Sequence, residues 1–213
     1  MLSNPYQRGL SLVEIVIGLA IFGIAMAWAI PSYSTWMQNT QIRNMAESIA
    51  FGLQQARVEA IKRSGLVEFL LTNSSPTQAS EDTAVAIQTG PNWIVRAVSD
   101  ATVVPTNYDF VTGQSGDEGS SSATVAAFDN AMVVALNTVT FDQFGRIGRG
   151  GNDNGTAAIS KICILSSKLK AVKGARILEI DIGSAGQIKM CDPTVVDPTD
   201  PRRCVAAAPR CQD

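Results

Sequence analysis

The chain has 213 residues, 17 basic and 19 acidic side chains, a net charge of −2 and no histidine. That balance argues against a protein that coats nucleic acid by bulk charge. The missing imidazole removes the commonest general base and a usual zinc ligand.

The leader Met1–Gly9 carries one positive charge, Arg8, and is expected to stay cytoplasmic. Leu10 to Ile30 follows as an apolar run in which Glu14 is the only charge. A helix needs about 20 residues to cross a bilayer core, so this run is long enough. Trp28, Tyr33 and Trp36 fall where the helix would leave the bilayer, so the chain beyond them is expected outside the cytoplasm. A secretory signal would be cut after the run, near Ala25, Ala27 and Ala29. A plain anchor is the other simple reading. Neither accounts for Glu14 standing just after Gly9, because a carboxylate in lipid is costly unless it has a partner.

Gly9, then Leu10-Ser11-Leu12-Val13-Glu14, then Pro31, resembles the class III signal of type IV pilins and pseudopilins. The resemblance implies that a prepilin peptidase cuts between Gly9 and Leu10 and methylates the new N-terminus of Leu10. The family usually has Phe at that first mature position. Removing the leader takes away Arg8 and leaves 16 basic against 19 acidic residues, a charge of −3. The resemblance also implies that Glu14 pairs with the N-terminal amine of a neighbouring subunit, which removes two isolated charges from a low dielectric. Snorkelling of Glu14 to the interface is the plainer alternative. Gly18, Gly23 and Pro31 loosen the helix, and a kink or local melting is expected at Pro31; ordinary membrane glycines and a tolerated proline are the alternative.

Beyond Pro31 the pattern turns amphipathic. Ile42, Met45, Ala46, Ile49, Leu53, Ala56 and Ala60 fall on one helical face. Arg43 with Glu47, and Glu59 with Arg63, are spaced as ion pairs on the polar side. One helix is expected from about Leu10 to Arg63, ended by Ser64-Gly65. The segment Asn44 to Ala60, above all Gln55-Ala56-Arg57-Val58-Glu59-Ala60, resembles the helix of FimT and FimU minor pilins and GspH pseudopilins. Arg57 reads either as a DNA or partner contact or, preferably, as a solvated charge on the helix face.

Candidate strands are Leu66–Leu71, Ala84–Gln88, Trp93–Val98, Thr138–Phe141, Ile159–Leu165, Arg176–Ile182 and Gln187–Met190. Asn73–Ser80, Thr112–Ser122 and Gly148–Gly155 read as loops, and Ala123–Leu136 as strand or short helix. The expected fold is α+β: a long N-terminal helix packed on small antiparallel sheets, two in number. Its parts are a leader (1–9), a membrane or filament-core helix (10–31), an amphipathic continuation (32–64) and a β-rich domain with a disulfide-bonded tail (65–213). Val139 to Gly145 resembles the family's strand and glycine turn, and Leu178 to Lys189 its terminal hairpin.

Cys163, Cys191, Cys204 and Cys211 all lie in the exported part, where an even count suggests disulfides. Three pairings are possible, and Cys163–Cys191 with Cys204–Cys211 is favoured. Zinc is disfavoured by the lack of CxxC and His, and a Cys nucleophile by the lack of a His base. No enzyme activity, metal or cofactor is expected.

Some FimT-like proteins bind DNA through a GRxR motif near the C-terminus. The matching stretch here is Gly186-Gln187-Ile188-Lys189, with Gln and Lys in place of the two arginines. An uncharged Gln loses a phosphate contact, and Lys lacks the bidentate fork of Arg. A second basic turn offers Arg146 and Arg149 among glycines. The leading expectation is a minor pilin in or near the pilus tip that primes assembly and presents an interaction surface. Its partners would be other minor and major pilins or pseudopilins, the prepilin peptidase and, before assembly, the bacterial inner membrane, with a periplasmic C-terminal domain. A GspH-like pseudopilin of type II secretion and a DNA-receptor pilin are the alternatives.

Overall fold

The computed structural model describes residues 11–80, 82–100, 107–118, 120, 123–148, 152, 156–166, 176–204 and 211, except the side chains of 27–32 and 100. The chain divides into two compact units, Met1–Met37 and Gln38–Asp213. One helix, α1 (Leu12–Arg63), spans 52 residues and is helical through Pro31, so no local melting interrupts it. The last carbonyls of α1 are capped in a Schellman arrangement. Gly65 N–H donates to Ala60 O (3.1 Å) and Ser64 N–H to Ile61 O (3.2 Å). Ser64, not Gly65, takes the left-handed conformation (φ 51°). An L-residue pays for its Cβ there, and glycine does not.

In the second unit, every apolar position assigned to one helical face is buried: Ile42, Met45, Ala46, Ile49, Leu53, Ala56 and Ala60. Both expected ion pairs form, Arg43–Glu47 and Arg63–Glu59, each at 2.7 Å. Among the described residues eight strands follow: β1 (Val67–Thr72), β2 (Asn92–Asp100), β3 (Asn107–Gln114), β4 (Ala123–Phe128), β5 (Thr138–Phe141), β6 (Lys161–Ser166), β7 (Leu178–Ile182) and β8 (Ile188–Cys191). They form two four-stranded antiparallel sheets, ordered β3-β2-β1-β5 and β4-β6-β7-β8. A shared apolar core joins the helix face to Phe69, Trp93 and Phe141 of the first sheet and Val125, Ile162 and Ile180 of the second. The α+β expectation, including two small sheets, is met.

Two local expectations differ, and one reading left open is decided. Ala84–Gln88 is not a strand but a cover over the outer face of β1. Thr72 Oγ1 donates to Val85 O (2.9 Å), and Leu70, Ala84 and Ile94 make a small second core. The expected loop Thr112–Ser122 begins only after β3, which the polar Asn107, Asp109 and Gln114 disguise as a connection. Ala123–Leu136 is strand to Phe128 and then a turn, in which Asp129 Oδ1 accepts the N–H groups of Val133 and Val134.

Gly52 lies against the Trp93 indole, and a Cβ there would stand 2.8 Å from the ring. Trp93 Nε1 donates to Ser48 Oγ (2.9 Å), which donates to Gln114 Oε1 (2.7 Å), so helix, β2 and β3 are tied at one point. Gly52→Leu is expected to destabilise the domain by about 1–3 kcal/mol through overpacking, read as a lower urea midpoint. Ser64→Gly is expected to raise stability by about 1 kcal/mol by relieving the left-handed strain. An unchanged or lower midpoint for Ser64→Gly would contradict the cap geometry.

Candidate functional site

Glu14 stands in the first turn of α1. Around it, every described side chain from Ser11 to Met26 is exposed, including Leu12 at 78%, Ile15 at 50% and Phe22 at 58%. Such a surface has no core of its own in this chain and requires an apolar partner. Among the described residues no helix is long and apolar enough to cross a membrane. The uncharged sequence continues through residues 27–30, whose side chains are outside the described set. Gly9 and Leu10 also lie outside the described residues, as does Arg149. Tyr33 and Trp36 are exposed, with ring centroids 6.0 Å apart.

In the second unit, three segments singled out in the sequence meet at one point. Arg57 of α1 donates through Nε to Gly145 O (3.0 Å) in the turn after β5. Gly186, in the β7–β8 hairpin, packs so closely that a Cβ would overlap the Gly145 carbonyl oxygen. Both glycines have positive φ (69° and 78°). Ile147 N–H donates to Ser184 O (3.2 Å) beside them. Arg57 is therefore half-buried and ties the two sheet ends to the helix, rather than forming a solvated face charge.

The described candidate DNA contacts, Arg146 and Lys189, are already engaged. Arg146 pairs with Asp142 (3.1 Å) and lies over the Phe144 ring. Two backbone N–H groups, of Arg146 and Phe144, and the Arg146 guanidinium outweigh burial and hold the Asp142 carboxyl below its ordinary range. Lys189 donates to Arg203 O (3.1 Å).

The disulfides are Cys163–Cys211 and Cys191–Cys204, not the favoured pairing. The reason is strand order. β7 lies between β6 and β8, and Glu179 stands in register with both Cys163 and Cys191. Two strand spacings amount to about 9.5 Å, too far for a disulfide. Each strand cysteine therefore reaches the tail instead, with Cα–Cα distances of 5.4 and 5.0 Å.

Cys211, pinned to Cys163, lies against a charged cluster of β6 and β7. Lys161, 1% exposed, donates to Glu179 (2.6 Å), itself fully buried, and to Asp181 (3.1 Å). Cys211 N–H donates to the other Glu179 oxygen (3.2 Å). Burial pulls the Lys161 pKa down, but the bonds to Glu179 and Asp181 outweigh it and the net shift is upward. Burial pushes the Glu179 carboxyl up, against the pull of Lys161. Glu179, Asp181, Cys191 and Cys204 offer donor atoms within 4.8 Å of one another. The two sulfurs are bonded to each other and the Lys161 ammonium sits on both carboxylates, so the group is a salt-bridge network rather than a metal cage.

Lys161→Ala strands two carboxylates under the tail and is expected to cost about 3–5 kcal/mol. Replacing Lys161 and Glu179 together by Met and Leu should recover most of that loss. With its pKa raised in the fold, Lys161 contributes stability that is full below its ordinary 10.5 and is lost as pH rises through the raised value. Urea titrations across that alkaline window should show this extra loss in the wild type and not in the double variant. A cost for Lys161→Ala under about 1 kcal/mol would mean that water reaches the cluster.

Residues 4–30 match the family described as the prokaryotic N-terminal methylation motif. Two crystal forms of the type IV minor pilin FimU of Pseudomonas aeruginosa (strain PAO1) are similar to this chain at 15% identity. They cover 70% and 73% of it and 90% and 91% of their own lengths, with TM-scores of 0.42 and 0.43. No curated protein matches. Residues 4–30 of this chain thus carry the prokaryotic N-terminal methylation motif.

Proposed function

We propose that the chain is a minor type IV pilin. The observation that carries this reading is an exposed apolar helix with a lone carboxylate in its first turn, set within an N-terminal methylation motif. Prepilin peptidase removes 1–9 and methylates Leu10. The apolar helix then rests in the inner membrane with the C-terminal domain periplasmic, until the subunit enters a filament. There the apolar helix trades lipid for the helices of other pilins, which is near-neutral in hydrophobic free energy because both are apolar. Charge supplies the register: Glu14 finds the N-terminal amine of its neighbour, and a misplaced subunit leaves both groups unpaired. The protein performs no catalysis in this scheme; the peptidase acts on it.

Mass spectrometry of filaments sheared from intact cells should detect a peptide that begins at N-methylated Leu10. Recovery of the mature protein only in the cell envelope, with the filament fraction well sampled, would point instead to a secretion pseudopilin. Glu14→Ala is expected to leave cleavage intact and to reduce the amount in filaments at least tenfold, measured by the same peptide. Normal incorporation would sink the pairing.

A further inference from the structure

We propose that the cleft between α1, the entry to β7 and the C-terminal tail binds the headgroup of an anionic phospholipid before the subunit leaves the membrane. The proposal rests on the membrane-anchored precursor described above. The cleft has a volume of about 240 Å³ and is lined by Arg43, Arg176, Arg202 and Asp192, with Leu178 and Met190 as its apolar wall. Its arginines come from three separate segments. Arg43 is on the helix, Arg176 immediately precedes β7, and Arg202 is on the tail.

The tail is held in place there. Cys204 is bonded to Cys191 at the end of β8, and Asp192 N–H donates to Arg202 O (2.7 Å). Arg176 N–H donates to Asn39 Oδ1 (3.0 Å), which fixes the third segment against the helix. Three cations thus converge on one cleft in a chain whose net charge is −2.

The guanidinium groups keep donors for a ligand. Arg43 gives Nε to Glu47, and Arg202 gives Nε and Nη2 to Asp200, out of five N–H groups each. Among the described residues no carboxylate lies within ion-pair distance of Arg176. The carboxylate in the lining, Asp192, accepts through Oδ1 from the backbone N–H and the hydroxyl of Thr194, and its charge also acts on Arg202. Arginine forks match phosphate oxygens, while Leu178 and Met190 suit the glycerol and first methylenes of a lipid.

Chain length favours a lipid over a soluble phosphate. Trp36 is exposed and belongs to the aromatic belt of the anchor. From Trp36 to Arg43 the chain can extend at most about 25 Å, so the cleft stays within that distance of the headgroups while the anchor is inserted. Each basic residue at such a surface strengthens binding about fivefold. Losing the site would then ease extraction into the filament.

The test uses the full chain purified in a neutral detergent, titrated with short-chain phosphatidylglycerol, short-chain phosphatidylcholine and inorganic phosphate, with bound lipid counted by native mass spectrometry. Phosphatidylglycerol is expected to bind and phosphatidylcholine not. The variant Arg43→Gln/Arg176→Gln/Arg202→Gln should weaken that binding on the order of 100-fold, with an unchanged melting temperature. The matching Arg→Lys variant should keep part of it. Equal binding of both lipids, or binding of free phosphate as tight as that of phosphatidylglycerol, overturns the proposal. So does preference of the same arginines for duplex DNA at the same ionic strength. Alkaline extraction of cell membranes separates the two levels. A chain released like a peripheral protein defeats the anchored precursor, whereas a chain retained in membranes without phosphatidylglycerol preference defeats only the lipid cleft.

Discussion

One helix face is the constraint on which the rest of this molecule depends. Ile42, Met45, Ile49, Leu53, Ala56 and Ala60 share a core with strands of both sheets. Small residues on that face, Ala46, Ala56 and Ala60, are fully buried, and Gly52 admits the Trp93 ring with no Cβ between. Buried area at roughly 25 cal/mol/Å² makes this shared core the main favourable term for the domain. Polar ties then set the sheets' positions along the helix. Ser48 does so through Trp93 at one level and Arg57 through Gly145 at another.

The same helix obeys a different rule before Met37. There the described apolar side chains are exposed rather than packed on this chain. An apolar surface of that extent calls for an apolar partner from outside. A helix apolar all round has no preferred face, and apolar contact alone would let neighbours slide past one another. A lone carboxylate is what can break that degeneracy, since its pairing depends steeply on distance in a low dielectric.

What could be read from the sequence divides along the range of the interactions. The helix face, its two ion pairs and β5 rest on spacing within a few residues, and they appear as the period implies. The cap is half legible: Ser64-Gly65 marks the stop, but only the dihedrals reveal that Ser64 takes the left-handed position. β3 was missed although Asn107-Tyr108-Asp109-Phe110 does alternate exposed and part-buried; the alternation stops at Val111, and an irregularity between Val95 and Arg96 shifts its register with β2. The disulfides were misread because their pairing depends on β7 lying between β6 and β8, which no local spacing encodes. Arg57 looked solvated for the same reason: its acceptor is a carbonyl 88 positions away in the chain.

The outer face of the second sheet carries this furthest. Lys161, Glu179 and Asp181 alternate with Ile162, Ile180 and Ile182, the ordinary pattern of a sheet with one wet face. That inference about direction is right, since these residues do point away from the core. Lys161 and Glu179 are nonetheless buried: the disulfides place Cys211 and Cys204 beside them, and Cys211 N–H completes the hydrogen bonding of Glu179. Apolar residues would fill the same place at no lower stability, since a buried ion pair seldom outperforms them. The difference lies in selectivity. An apolar face would be satisfied by any tail or by another subunit's sheet, whereas an ammonium and two carboxylates accept only a cover that meets their hydrogen bonds. Hydrogen bond and disulfide thus converge on one residue: Cys211 N–H meets Glu179, and the bond to Cys163 fixes Cys211 there.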